Sequence, residues 1–88
     1  METNVNEILK ERGSRYGEFS AQAIITQNLK RQMAQSPNWE TYLTTDKKEA
    51  LEMIAHKIGR ILNGDPEYKD SWVDIAGYAT LIADTLND

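Results

Sequence analysis

The stretch of sequence that decides the fold is residues 46–64, which read DKKEALEMIAHKIGRILNG. Asp46, with Glu49 three residues later, is typical of a helix start in which Asp replaces the Ser or Thr of a capping box. Asn63 and Gly64 supply a stop, because glycine can take the left-handed conformation at a helix end. Between them, six apolar residues recur at the spacing of one wide helical face: Leu51, Ile54, Ala55, Ile58, Ile61 and Leu62.

A second helix should follow after a short link, so that helices over about 46–63 and 66–87 form an antiparallel hairpin. Asp65 and Pro66 can begin the second helix as its cap and first residue. Alternatively, the chain makes a tight turn after Pro66 and Asp70 caps the helix. The inner face is predicted from five apolar residues at helical spacing: Trp72, Ile75, Ala79, Ile82 and Leu86.

A third helix, over about 18–35, should pack against this hairpin and complete an all-α fold. Its apolar stripe is weak, and it should end before Pro37 because the residue preceding a proline avoids the helical conformation. The turn that follows should place Trp39 on the core. The segment 1–17 is expected to be a short helix ending at Gly13 and a glycine-framed loop, and it could be mobile.

Length and composition limit the architecture further. With 88 residues, the chain should be one helical domain over 1–88, and a core of this size supplies little stability. There is no cysteine, so disulfides cannot supplement the core. Oligomerisation remains as a source of additional stability. We therefore expect a homo-oligomer that completes the helical bundle, with a dimer as the simplest case.

The second helix of the hairpin carries the sequence argument for self-association. Val73 and Leu81 project away from the line of its inner residues, and a small helix that is apolar on two sides often closes a second interface. Gly77 and Gly59 lie inside helices, where glycine costs about 1 kcal/mol relative to alanine and therefore suggests close helix-to-helix approach. We predict an oligomer interface at Val73, Gly77 and Leu81.

The charge balance narrows the choice of partners. The formal net charge is −4, whereas general binding to nucleic acid needs a cationic surface. Four basic residues keep a nucleic-acid hypothesis open: Arg12, Arg15, Lys30 and Arg31. The polar, acidic start of the chain and the absence of long apolar runs predict a cytoplasmic protein without membrane contact.

Two acidic pairs could carry catalysis or bind a metal. Glu49 and Glu52 are three residues apart and Asp70 and Asp74 are four apart, so each pair shares one side of its helix. Carboxylates from facing helices can hold Mg²⁺ against the phosphates of a nucleotide. The alternative is structural, since Glu49 suits a helix N-terminus and Asp70 can cap its helix.

Lys57 and Arg60 lie near the end of the helix that should face Asp70 and Asp74. One interpretation is an interhelical salt bridge that fixes the hairpin, which contributes about 0–1 kcal/mol when exposed. The other is a phosphate-binding site whose cations are held in place by the aspartates. His56 is expected at the surface, because no serine, cysteine or second histidine forms a nucleophilic site with it.

Two segments resemble a known protein family. Residues 57–61 read KIGRI, and residues 70–79 read DSWVDIAGYA. The order K-I-x-R-I, a short proline-containing link and D-S-W-x-D-I-A-G-Y-A is similar to small helical proteins encoded by tailed phages and prophages, which have no firmly assigned activity. The resemblance covers about half of the chain and implies a phage-encoded protein that works in the host cytoplasm.

A more distant resemblance is to the MazG-like all-α nucleoside triphosphate pyrophosphohydrolases. Those enzymes bind Mg²⁺ through an E-x-x-E helix followed by an E-x-x-D helix. Glu49 and Glu52 match the first motif, although Lys48 stands where a further glutamate would lead it. Asp70 and Asp74 take the place of the second motif, four residues apart rather than three. The resemblance implies Mg²⁺-dependent hydrolysis by these four carboxylates.

The leading functional hypothesis is a phage accessory protein that acts by binding a host or phage protein or a nucleotide, and not by catalysis, because the catalytic set is incomplete. The alternative is a Mg²⁺-dependent pyrophosphohydrolase of the MazG-like type. A second alternative is a nucleic-acid-binding module.

Overall fold

The computed structural model describes residues 4–87, which form five α-helices with no β-strand among them. In chain order the helices are α1 (Val5–Tyr16), α2 (Phe19–Ala34), α3 (Pro37–Thr41), α4 (Thr45–Asn63) and α5 (Lys69–Ala83). The predicted all-α class is confirmed, and so is the hairpin, which α4 and α5 form with α2 packed on α4. Residues 1–3 and residue 88 of the predicted domain lie outside the described residues.

The central helix is α4, because both α2 and α5 pack along it. Its N-cap is Thr44 and its first residue is Thr45, so the predicted cap at Asp46 is wrong. Asp46 instead accepts a hydrogen bond from the Thr44 hydroxyl, which holds the pKa of Asp46 below its usual value. The predicted stop at Asn63 and Gly64 is confirmed.

The link between α4 and α5 is the tight turn, the second of the two predicted arrangements. The N–H of Glu67 donates to Asp65 Oδ1 at 2.9 Å, an Asx-type contact that closes the turn. The indole N–H of Trp72 donates to the carbonyl oxygen of Pro66 at 2.8 Å. This second bond ties the turn to the first turns of α5.

The helix α5 is shorter than predicted. Its N-cap is Tyr68, and Asp70 lies inside the first turn, so the predicted cap at Asp70 is wrong. Asp70 Oδ2 accepts a hydrogen bond from the Tyr68 hydroxyl at 3.1 Å. The helix ends at Ala83, which leaves Leu86 beyond it.

The helix α1 is longer than predicted, because it continues through Gly13 to Tyr16. A Cβ at Gly13 would meet nothing within 4 Å, so this glycine weakens the helix without ending it. The helix ends at Gly17, whose φ of 78° favours glycine. Asn63 fixes this end, since its Nδ2 donates to the carbonyl oxygens of Tyr16 at 2.8 Å and Glu18 at 2.9 Å.

Trp39 is buried, as the sequence predicted, and the turn that carries it is the short helix α3. Ser36 caps this helix and Pro37 is its first residue, a position that suits proline because its missing N–H needs no partner there. The ammonium group of Lys48 lies 5.9 Å from the centroid of the Trp39 ring.

The contact between α2 and α4 is polar at its centre. Gln22 and Thr26 of α2 are buried there, and Gln22 Nε2 donates to Thr26 Oγ1 at 2.8 Å. Gly59 of α4 lies against both, and a Cβ at Gly59 would collide with Thr26 Oγ1. The close helix approach predicted at Gly59 is therefore confirmed. Around Gly77 nothing lies within 4 Å of a Cβ position, so the described chain makes no such approach there.

The apolar core is small. The buried apolar residues among those described are Trp39, Ala50 and Ala55. Several side chains predicted to face inward are instead exposed: Leu51, Leu62, Trp72, Ala79 and Leu86. The physical reason is geometric, because α2 and α5 cover only part of the wide apolar face of α4 and leave the rest to solvent.

Candidate functional site

The candidate site is a pocket of 720 Å³ between α1, the start of α2 and the C-terminal half of α4. Arg12 and Tyr16 reach it from α1, Phe19 and Gln22 from α2, and Arg60 from α4. The local sequence explains this convergence. The turn at Gly17 reverses the chain between α1 and α2, and the two helix ends it joins are held beside the end of α4 by Asn63.

Arg60 is one of two arginines that line the site. Its guanidinium carbon lies 4.1 Å from the centroid of the Tyr16 ring, within the range of a cation–π contact. Within the described residues Arg60 forms no salt bridge, and the sequence-based pairing with Asp70 or Asp74 is not made. Stacking uses the face of the guanidinium and leaves its in-plane N–H groups for an acceptor.

A second cation–π contact supports the first. The guanidinium carbon of Arg15 lies 4.4 Å from the centroid of the Tyr68 ring, and the Tyr16 and Tyr68 rings meet edge to face at 6.0 Å. Arg15 also pairs with Glu11 at 3.4 Å. These contacts run in the order Arg60, Tyr16, Tyr68 and Arg15, with an arginine at each end. They join α1 to both ends of the α4–α5 link and keep the Tyr16 ring in place.

The pocket carries positive charge in an acidic chain. Arg12 and Arg60 line it against a single lining carboxylate, that of Glu18. Glu18 is also the N-cap of α2, but no side chain there accepts a hydrogen bond from the first amides of the helix. The first N–H groups of a helix are unpaired donors that favour negative charge, so Phe19 and Ser20 add backbone donors at the wall of the pocket.

Gln22, which lines the pocket, also lies beside His56. Gln22 Nε2 lies 3.4 Å from His56 Nδ1, and the side chain of His56 is half-buried rather than at the surface as predicted. Burial lowers the pKa of His56, and the nearby charges of Arg60, Lys57 and Lys30 lower it further. A neutral imidazole can accept the hydrogen bond from Gln22, because Nδ1 then has a free lone pair.

Lys57 has a structural role. Its ammonium group lies 2.9 Å from Asp74 Oδ2 across the α4–α5 contact, which confirms the interhelical salt bridge for this pair. The Lys57 side chain is only 12% exposed, so the pair is more shielded from solvent than an ordinary surface pair. Lys57 is therefore held away from the pocket that contains Arg60.

The four carboxylates proposed for a metal do not meet within one chain. The Lys57–Asp74 contact shows the register of the hairpin, in which Asp70 lies near the C-terminal end of α4, about 14 Å along the helix axis from the level of Glu52. Glu49 lies a further turn away. No group of three His, Asp or Glu side chains suited to a metal ion occurs in residues 4–87. A Mg²⁺ site built from these carboxylates does not fit a single chain and stays a prediction for an assembly.

The remaining predicted residues occupy separate surfaces. Arg12 lies in the pocket and Arg15 is engaged with Tyr68, whereas Arg31 donates to Asn28 on α2. Lys30 lines a smaller cavity beside His56. The nucleic-acid hypothesis stays a prediction. Val73, Gly77 and Leu81 line an open groove on α5 together with Asp74 and Tyr78, and their role as an oligomer interface also stays a prediction.

Sequence reasoning identified Arg60 but missed Tyr16, Phe19 and Gln22. A signal for Gln22 was present, because glutamine interrupts the apolar stripe of α2 at a position that faces α4. In the sequence this interruption indicates only a weak apolar stripe, whereas Gln22 is buried. The role of Tyr16 had no local signal, since it depends on how α1 docks against the end of α4.

The five helices of residues 4–87 and a pocket lined by two arginines define this molecule as a small all-α protein with a candidate anion site. Its sequence matches the Domain of unknown function (DUF6378) over residues 1–86, and the chain therefore belongs to that family. No curated protein and no solved structure matches the chain. Among the helices of residues 4–87, none combines the length and the apolar character needed to cross a membrane.

Proposed function

We propose that the protein is a phage-encoded accessory protein that binds a nucleotide in the pocket between α1, α2 and α4, without catalysing its turnover. The observation that carries the proposal is Arg60, a guanidinium stacked on Tyr16 at 4.1 Å and free of a carboxylate partner among the described residues. The resemblance of residues 57–61 and 70–79 to small phage proteins supports the biological setting.

The phosphate groups of a nucleotide would meet the cationic part of the pocket. A planar guanidinium donates two parallel hydrogen bonds to a phosphate, which lysine cannot do. Arg60 and Arg12 both line the pocket, and the uncapped start of α2 offers further N–H donors. Glu18 is the opposing charge and would favour a ligand whose phosphates lie on the arginine side.

The base of the nucleotide would meet the aromatic part. Tyr16 and Phe19 both line the pocket, and Phe19 is 77% exposed, an unusual position for a phenylalanine unless something covers it. The volume of 720 Å³ lies within the range of pockets that hold small molecules. A flat aromatic base can stack on such side chains without any particular sequence of hydrogen bonds.

Thermal unfolding in the presence of separate parts of a nucleotide tests the proposal. We expect nucleoside triphosphates to raise the midpoint, inorganic tripolyphosphate to raise it less, and nucleosides to raise it least. A ligand at ten times its Kd stabilises the folded state by about 1.4 kcal/mol, which is a shift of several degrees for a chain of this size. No shift with any of these probes would contradict the proposal.

Two arginine variants locate the site. Arg60→Ala should abolish the shift and Arg60→Lys should retain only part of it, because lysine keeps the charge but not the planar fork. Arg31→Ala is the matched control, since it removes the same charge from α2 outside the pocket lining. An equal loss in Arg31→Ala would mean that net charge, and not this pocket, determines binding.

A turnover assay distinguishes nucleotide binding alone from the catalytic alternative. A MazG-like pyrophosphohydrolase would release pyrophosphate from nucleoside triphosphates only when Mg²⁺ is added, and Asp74→Ala would stop it. Binding without turnover supports the accessory-protein proposal. Turnover that depends on Glu49, Glu52, Asp70 and Asp74 would replace it with the enzyme.

A further inference from the structure

We propose that the apolar face that the α4–α5 hairpin leaves uncovered is the interface with a second copy of the chain. We call it the open face, and it consists of Leu51, Ile58 and Leu62 of α4 with Trp72 and Ala79 of α5. The inference goes beyond nucleotide binding, because it concerns a surface outside the pocket lining and does not depend on any ligand.

Helical periodicity places the five residues on one side of the hairpin. The ion pair between Lys57 and Asp74 marks one flank of the α4–α5 contact. With 3.6 residues per turn, the three α4 residues of the open face fall on the other flank of α4. In an antiparallel pair, the two α5 residues of the open face likewise fall on the flank opposite Asp74, beside those of α4.

The open face is apolar, exposed and uncharged. Leu51, Leu62, Trp72 and Ala79 are exposed and Ile58 is half-buried. The charged side chains near the middle of the hairpin, Lys57 and Asp74, lie on the opposite flank. Contiguous exposed apolar surface of this kind marks an interaction site. Because the open face carries no charge, it does not favour a charged partner.

The surface area of the chain indicates a second copy as the occupant. The accessible surface is 6720 Å², whereas a compact monomer of this mass exposes about 5,200 Å². A second copy seated on the open face would cover part of this excess of about 1,500 Å² per chain, and an interface of standard size needs about 800 Å² from each partner. A two-fold axis would place the same apolar face on both sides of the interface.

The small core also favours a second copy of the chain as the partner of the open face. Trp39, Ala50 and Ala55 are the buried apolar residues of the described chain, and two of them are alanines. Pairing two hairpins through their open faces would form a four-helix bundle with leucine, isoleucine and tryptophan at its centre. The second copy would thus supply the core that one chain lacks.

Sedimentation of two matched variants tests this interface. Leu62 is 66% exposed and Leu81 is 65% exposed, and each lies in the last turn of its helix, but only Leu62 belongs to the open face. We expect the wild type to sediment at twice its mass of 10.0 kDa. Leu62→Lys should weaken the dimer by about thirtyfold or more, while Leu81→Lys should leave it intact.

The thermal midpoint of the wild type tests the same proposal without requiring that any variant fold. Folding coupled to dimerisation makes the midpoint rise with protein concentration, so a hundredfold concentration increase should raise it by several degrees. A wild type that sediments as a monomer with a constant midpoint would overturn the proposal. Dissociation by Leu81→Lys and not by Leu62→Lys would also overturn it and would support the interface at Val73, Gly77 and Leu81.

Discussion

Two glycines inside helices have opposite surroundings, although their sequence contexts look alike. Gly59 lies at the α2–α4 contact, where the absence of a side chain lets Gln22 and Thr26 approach the backbone of α4. Gly77 lies on the exposed side of α5 with nothing within 4 Å of a Cβ position. Only the first glycine is required by the packing of the described chain.

Alanine at these two positions should therefore act in opposite directions. Gly59→Ala should destabilise the fold by about 1–2 kcal/mol, because crowding against Thr26 outweighs the gain in helix propensity. Gly77→Ala should stabilise it by up to about 1 kcal/mol. Urea unfolding of both variants at one protein concentration measures the difference. Destabilisation by Gly77→Ala would indicate that Gly77 makes a close contact in the assembled protein.

His56 should make the stability of the protein depend on pH. Burial and three nearby cations lower its pKa below the ordinary value of 6.5. Above pH 6.5 the imidazole is neutral in both the folded and the unfolded protein, and stability is fully present. As the pH falls below 6.5 the unfolded chain takes up the proton more readily, so stability falls until the pH is below the pKa of the folded state.

Replacement of His56 by asparagine isolates this effect. In His56→Asn the amide oxygen can accept a hydrogen bond from Gln22, as the Nδ1 of a neutral imidazole can, but the side chain does not titrate. Urea midpoints measured from pH 7.5 to pH 5.5 should fall for the wild type and change less for His56→Asn. Parallel curves for the two proteins would show that His56 does not contribute to the pH dependence.

At the scale of elements, α1 differs from the other described helices, each of which contributes at least one buried residue. None of its residues is buried, and its end is held by polar and aromatic contacts. Asn63 Nδ2 donates to the carbonyls of Tyr16 and Glu18, and the N–H of Asp65 donates to the carbonyl of Arg15 at 2.6 Å. Because Tyr16 supports Arg60, these few bonds also determine the shape of the pocket.

Asn63→Asp should release the end of α1. The substitution replaces two donated hydrogen bonds with carboxylate oxygens that face carbonyl oxygens, at a cost of about 1–3 kcal/mol. Amide hydrogen exchange in α1 should accelerate while exchange in α4 and α5 changes little. Asn38→Asp is the control, because no hydrogen bond of the Asn38 side chain is found among the described residues. Unchanged exchange in α1 would mean that other contacts hold the helix.

The sequence predicted the elements well where a pattern is local. The period of Leu51, Ile54 and Ile58 located α4, and the Asn63-Gly64 pair located its end. Local signals misplaced the caps at Asp46 and Asp70. They also ended α1 at Gly13, because the observed end depends on a contact with a residue far away in the chain. Asn63 holds the end of α1 from a position 47 residues beyond Tyr16. Its own neighbours in the sequence therefore cannot reveal that role.

At the scale of the whole molecule, the chain is elongated. Its radius of gyration is 15.2 Å and it extends 47 Å along one axis against 26 and 25 Å along the others, whereas a compact chain of this length has a radius of about 12 Å. The apolar period predicted which residues form one face of α4. It could not predict how much of that face the chain itself covers, because coverage depends on the angle between α2 and α5.

The candidate site was predictable only in part for the same reason. The Lys57–Asp74 pair follows from the register of a hairpin, and that register is set by a short link. The same register predicts Arg60 beside Asp70 or Asp74, whereas Arg60 stacks on Tyr16. The pocket itself requires α1 to dock beside α4, and nothing near Arg12 or Tyr16 in the sequence specifies this. Long-range placement, rather than residue type, is thus the information that the sequence pattern lacked.

The central position of α4 has a consequence for the order in which the chain folds. The contact between α4 and α5 joins neighbours in the chain across a short link, whereas α2 reaches α4 only after α3 and its flanking turns have been ordered. Closing a short loop costs less entropy than closing a long one, and local contacts form fastest. The hairpin therefore offers a nucleus for folding, onto which α2 and finally α1 are added.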